Sequence, residues 1–295
     1  MPDRNYDLAV FDFSASTALA EFDRFKSSLA GHATVAFFHG TEDHNEAIRS
    51  SVSEDVIEGA LIDFLGIGAQ KCATTWIYHH LSRHPQIRFP AGKEIHFWDS
   101  QRERGQDWWL NLFPQAGDLR QGEITPAYAF LDVEAIAAVT AVAPSVRLFY
   151  SMRNPVARAW SSALMALGRA EMTIEEASDQ WFIDHFNSRG SRLRSAYAIC
   201  IENWLSVFPR EQFHLILMDD ICSHPREVLV ALADHLGVSS EPFHNAAEAD
   251  LSSPVFAGSG ATIRPLLRDY LRTMYNSEIE HLSDFLGRDL QYWLE

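Results

Sequence analysis

Three short runs of this 295-residue sequence carry side chains suited to holding an anion and moving a proton. The first is Gly66-Ile67-Gly68-Ala69-Gln70-Lys71-Cys72-Ala73-Thr74-Thr75-Trp76. An apolar stretch precedes it and a helix-forming stretch follows. Backbone N–H groups at a helix start, aided by the helix dipole, attract an anion. Gly66 and Gly68 allow a tight turn, Lys71 adds a mobile ammonium, and Thr74 and Thr75 add hydroxyls in the first helical turn. The spacing is not that of the triphosphate loop GxxxxGK[ST], because two residues separate Lys71 from Thr74. The second run holds Arg153, which ends an apolar stretch, and Ser161, about two helical turns further on. Ligands gather at the ends of strands in open α/β sheets, so both side chains can reach one phosphate. The third is Lys93-Glu94-Ile95-His96. Glu94 and His96 share a face if the segment is extended. A carboxylate and an imidazole can both accept a proton.

The charge distribution favours the same part of the chain. The net charge is −16. Residues 1–58 hold 4 basic and 11 acidic side chains, residues 59–165 hold 10 and 9, and residues 166–295 hold 10 and 20. The middle third is therefore the place for an anion to bind. Only Lys26, Lys71 and Lys93 are lysines among 24 cationic side chains. In so Arg-rich a chain, a lysine marks a position where a compact ammonium serves better than a planar fork. No basic stripe supports nucleic-acid binding. Three cysteines without CxxC spacing, and no basic start followed by an apolar run, point to a reducing cytoplasm with no structural zinc. No apolar run is long enough for a membrane span.

The elements that must position these residues follow from periodicity. Leu61–Ile67, Val146–Met152 and Phe213–Met218 read as strands. Helices are expected from Thr74 to about Arg83, Pro155 to about Leu167, Ala196–Val207, Pro225–His235 closed by Gly237, Arg264–Tyr275 and Ser277–Leu286. Leu8–Phe13 and Thr34–Phe38 read as strands on either side of a helix over Ala18–Leu29. The alternation predicts an α/β fold: a P-loop-like parallel sheet flanked by helices on both faces. Residues 1–58 form a small N-terminal α/β extension, and residues 59–295 the main domain.

Seven motifs in order then carry a family resemblance over roughly residues 60–295. Lys71-Cys72-Ala73-Thr74-Thr75 is followed by His84-Pro85, and then by Lys93-Glu94-Ile95-His96-Phe97-Trp98-Asp99. Gly105-Gln106-Asp107-Trp108-Trp109 runs on to Phe113-Pro114. Next come Gly122-Glu123-Ile124-Thr125-Pro126-Ala127-Tyr128, then Arg153-Asn154-Pro155-Val156-Ala157-Arg158-Ala159-Trp160-Ser161, and finally Tyr197 through Pro209. The closing run Leu286–Trp293 also suits the pattern. Together they resemble the sulfotransferases that use 3′-phosphoadenosine 5′-phosphosulfate (PAPS), in the branch shared by heparan-sulfate sulfotransferases and many bacterial enzymes.

The resemblance implies sulfuryl transfer to a hydroxyl by in-line displacement, without a metal. It gives Lys71 the role of neutralising the leaving phosphate and Glu94 that of general base, with His96 as the competing candidate. It implies cofactor contacts from Gln70, Lys71, Cys72, Ala73, Thr74, Thr75, Trp76 and Tyr197, with Arg153 and Ser161 on the 3′-phosphate. Two departures stand out. Ala73 replaces the loop glycine. The segment Val255–Thr262 lacks the basic residues that the family uses near the 3′-phosphate, so backbone amides or Arg264 must substitute. A kinase-like phosphotransferase and an inactive nucleotide-binding protein on the same scaffold are the alternatives. Phe97, Trp98, Trp108 and Trp109 either line an acceptor cleft or pack the core. The acidic composition argues against a long polyanionic glycan as acceptor. A small or amphiphilic hydroxyl compound, including a glycan or lipid, is expected instead.

Overall fold

The computed structural model describes residues 62–114, 117–253, 255 and 260–295. The expected N-terminal extension lies outside the described residues. Five parallel strands form one sheet: β1 (Phe64–Gly68), β2 (Ile87–Arg88), β3 (Arg120–Ile124), β4 (Arg147–Met152) and β5 (Phe213–Leu217). Their order is β2-β3-β1-β4-β5. Phe64 pairs with Gly122 on one side and with Arg147 on the other. From β1 the chain crosses towards β2, and from β4 it crosses towards β5. The connections therefore diverge between β1 and β4, which opens a crevice at the carboxyl ends of these two strands.

Alternation along the strands serves a core on each face of the sheet. Phe64, Ile124, Phe149 and Ile216 face a cluster with Trp76, Ile77 and Leu81 of helix α1 (Thr74–Leu81). Leu65, Ile67, Leu148, Tyr150 and Met152 face the larger cluster. That cluster includes residues from α2 (Val133–Val142), α3 (Pro155–Arg169), α4 (Tyr197–Leu205) and, further along the chain, α6 (Pro265–Leu286). Helix α5 (Pro225–Leu236) covers the first face and ends at Gly237, whose φ of 70° suits a left-handed cap. Gly66 is a mid-strand residue rather than part of the turn. A Cβ there would stand 2.5 Å from the Phe149 ring, so its role is packing.

Three differences from the sequence expectation have physical reasons. The two C-terminal helices are one, because Leu271, Tyr275, Ile279 and Leu282 keep one buried face through Asn276 and Ser277. Strand β3 has no apolar run to announce it. Its inward side chains include Gln121 and Glu123, both buried and hydrogen-bonded. Residues 93–96 are not extended: Glu94 and His96 both adopt left-handed backbone, at φ 64° and 59°.

Candidate active site

The loop between β1 and α1 is shaped to hold an anion. Gly68 has φ 145°, and Lys71 and Ala73 follow at 69° and 62°. Left-handed residues at alternate positions are the backbone pattern of an anion nest. Ser151 of β4 straps the loop from beneath, its hydroxyl donating to the carbonyls of Gly68 (3.2 Å) and Cys72. The Ala69 amide returns a bond of 2.8 Å to the Ser151 carbonyl. No side chain caps α1. Its first-turn amides are thus left for a ligand or solvent. Ala73 holds this conformation despite its Cβ, where glycine would do so without strain.

The expected cofactor contacts divide by position. Gln70, Lys71 and Ala73 are half-buried and Thr75 is exposed, while Thr74 is buried. Cys72 and Tyr197 lie under the loop, with Sγ and the hydroxyl 3.6 Å apart. Burial drives the Cys72 thiol up to about 11, so it stays protonated. Trp76 is also buried, and its indole N–H donates to the Leu251 carbonyl at 3.0 Å. It stands beside His80, one of the residues around a cavity of about 410 Å³ that also includes His79, Arg83 and Asp250.

Arg153 follows β4 directly, across the crevice from this loop. Burial lowers the Lys71 pKa, and the charges of Arg153 and Arg169 lower it further. None of the ion pairs among the described residues involves Arg153. Arg153 and Arg169 thus act on Lys71 at the crevice, a gathering of cations that suits a phosphorylated nucleotide. Ser161 is half-buried on α3, two turns in. The start of α3 is already capped: Asn154 accepts from the amides of Val156 and Ala157. A phosphate here must be gripped by side chains. Arg264 is not available for it. Its guanidinium pairs with Asp179 and donates to the carbonyls of Ile174 and Ala177.

The third group emerges at the same edge of the sheet. The Glu94 amide donates to Ile124 at the end of β3, and β3 lies beside β1. The Lys93 ammonium contacts Glu94 Oε1. His96 Nε2 lies 3.8 Å from Glu94 Oε2, and His96 Nδ1 lies 2.9 Å from Asp99 Oδ2. Asp99 thus orients the imidazole towards Glu94, a role the sequence reading missed. Its signal was the i, i+3 spacing from His96. Arg194 feels both Asp99 and Arg169, and Arg169 also acts on Lys71, so the acidic and basic groups share one neighbourhood.

Beneath this segment lies a buried carboxylate. Glu123 is fully buried and accepts from Trp109 Nε1 (2.8 Å), the Thr125 hydroxyl (2.6 Å) and the Tyr128 hydroxyl (2.9 Å). Burial raises its pKa, and these three donors oppose the rise. Phe97, Trp98 and Trp109 belong to the core here, and only Trp108 is partly buried, with Arg104 over its ring at 4.4 Å.

Known proteins share both sequence and fold. Residues 61–250, well over half of the chain, match the family described as "Sulfotransferase domain". Human heparan sulfate glucosamine 3-O-sulfotransferase 6 is 29% identical over 179 residues, covering 58% of this chain and 51% of that protein. The chain spans about half the length of the curated relatives that head the comparison. The crystal structure of a sulfotransferase from Alicyclobacillus acidocaldarius superposes with a TM-score of 0.61 at 25% identity, covering 79% of this chain and 99% of that one. The sulfotransferase domain from the curacin biosynthetic pathway shares the fold, with a TM-score of 0.50 at 17% identity over 78% of this chain and 99% of that one. The anion nest, its uncapped helix and the domain match agree: the chain belongs to the sulfotransferase family.

Proposed function

We propose that the protein transfers a sulfuryl group from PAPS to a hydroxyl of a small or amphiphilic, sugar-like acceptor. One observation carries this reading. The cationic loop and Arg153 follow the ends of β1 and β4, and the segment of Glu94, His96 and Asp99 is tied by the Glu94 amide to the end of β3, which pairs with β1. This arrangement supports a reading in which anion binding and proton removal are neighbours.

When bound, PAPS supplies the sulfuryl group and the leaving phosphate. The loop amides and the Thr74 and Thr75 hydroxyls hold the 5′-side phosphate, and Arg153 and Ser161 grip the 3′-phosphate. Lys71 neutralises charge that grows on the leaving oxygen. Glu94 takes the acceptor proton, with Lys93 and His96 fixing its carboxylate and Asp99 fixing His96. Among the described residues no group of three or more His, Cys, Asp or Glu side chains is placed to hold a metal ion. The relatives' names favour a glucosamine-type hydroxyl. The net charge of −16 disfavours a long polyanionic chain, which leaves short or lightly charged sugar-bearing compounds.

Calorimetry without metal tests the cofactor assignment. Adenosine 3′,5′-bisphosphate should bind at least about tenfold more tightly than 5′-AMP, since charge-assisted bonds to the 3′-phosphate separate the two. Equal affinities would remove Arg153 and Ser161 from the site. Transfer of labelled sulfate from PAPS to octyl glucoside and to a glucosamine oligosaccharide tests the acceptor class. In that assay Glu94→Gln should lower turnover by roughly 10²–10⁴-fold, and His96→Asn by much less. The reverse ranking would move the base to His96.

A further inference from the structure

Five consecutive backbone amides, Glu94 to Trp98, are all held by one corner of the fold. The Glu94 amide donates to the Ile124 carbonyl at 3.0 Å. The Ile95 amide bonds the Glu123 carboxylate. The His96 amide lies 3.5 Å from Thr125 Oγ1, and the amides of Phe97 and Trp98 lie 3.0 and 3.4 Å from the Tyr128 hydroxyl oxygen. Both hydroxyls spend their protons on Glu123, at 2.6 and 2.9 Å. Their lone pairs are therefore turned towards the loop. Three loop residues and the first two residues of the short helix Phe97–Ser100 are thus all satisfied by one short segment, residues 123–128.

The loop needs that restraint. Glu94 and His96 are left-handed without being glycine, a conformation that each residue leaves readily unless its surroundings fix it. Those two turns bring the Glu94 and His96 side chains to 3.8 Å and set His96 on Asp99. The carboxylate that organises the corner is fully buried, and Trp109, Thr125 and Tyr128 all donate to it. A neutral carboxamide in its place would present N–H where a donor already points.

We propose that Glu123 is the positioning residue of the proton-handling loop: directly at Ile95, and through Thr125 and Tyr128 at residues 96–98, it fixes the backbone so that Glu94 and His96 meet. This rests on the reading of Glu94 and His96 given above, but its first test does not require turnover. Amide hydrogen exchange of the full chain is compared with Tyr128→Phe, which keeps the ring, and with Glu123→Gln, which keeps the side-chain shape. Exchange at residues 97 and 98 should rise at least about tenfold in Tyr128→Phe, with the amides of residues 66–76 unchanged. Glu123→Gln should loosen residues 95–98 together.

Kinetics with PAPS and octyl glucoside give the second readout. The kcat of Tyr128→Phe should fall about tenfold or more while the KM for PAPS and the affinity for adenosine 3′,5′-bisphosphate stay within about twofold. Unchanged exchange at residues 97 and 98 in Tyr128→Phe would overturn the proposal. So would a general rise across the sheet, which would mean the corner only supports the fold. Localised loosening in variants of a protein that shows no sulfate transfer would leave the positioning role standing and remove the transferase reading instead.

Discussion

Burial, Arg153 and Arg169 together hold the Lys71 ammonium below its ordinary pKa of 10.5. A bound anion would reverse the effect of its cationic neighbours, so nucleotide affinity should fall as alkaline pH deprotonates the free Lys71. Lys71→Ala should lower turnover by orders of magnitude while leaving the thermal midpoint nearly unchanged. Lys71→Arg should fail to restore it, because a planar fork cannot place a compact charge on one oxygen. Near-normal turnover of Lys71→Ala would end its catalytic assignment. Two positions along, Ala73 carries its Cβ at φ 62°. Ala73→Gly should therefore raise stability by about 1 kcal/mol, read as a higher urea midpoint, and should not weaken nucleotide binding. A lower midpoint would show that the alanine methyl packs usefully under α1.

At the scale of elements, α3 is anchored by a charge that has no counter-charge among the described residues. Arg158 is fully buried and donates to the Ser195 hydroxyl (2.6 Å) and to the Ser191 carbonyl and hydroxyl (both 3.0 Å). Its Nη1 has no partner, and none of the ion pairs among the described residues includes it. Arg158→Lys should cost about 3 kcal/mol, because a compact, strongly hydrated ammonium would be buried with fewer bonds. Arg158→Met should cost less, about 1–2 kcal/mol, since it removes the charge and leaves only the serine partners unpaired. Urea unfolding of the two variants checks the ranking. The elements that position the site were unevenly legible. β1 and β4 showed themselves through apolar runs, and Lys71 and Arg153 could be placed at their ends. β3 could not be read that way, because Gln121 and Glu123 face inward and are satisfied by partners distant in sequence, Arg88 and Trp109. The strap from Ser151 was hidden for the same reason: one small polar residue in an apolar strand reveals nothing until the loop it holds is known.

At the scale of the whole molecule, stability depends on histidines that stay neutral. Burial, helped by His79 and Arg83, drives His80 down to about 4, and burial with His235 and Arg210 does the same to His214. Both folded values lie below the unfolded value of 6.5. The unfolded chain therefore takes up protons first, and stability should fall as pH drops from 6.5 towards 4. His80→Leu should reduce the loss of urea midpoint between about pH 7 and pH 5, and an unchanged slope would exclude His80 as a source. The strand order has a kinetic consequence as well. Phe64 cannot complete its pairing until both Gly122 and Arg147 have found it, and the crevice between β1 and β4 exists only after that closure. Such distant pairing is slow to form. A nucleotide seated in that crevice meets a surface that is absent from early folding species. It should therefore act as a latch rather than a template, slowing the escape from the native state while leaving the rate of arrival untouched.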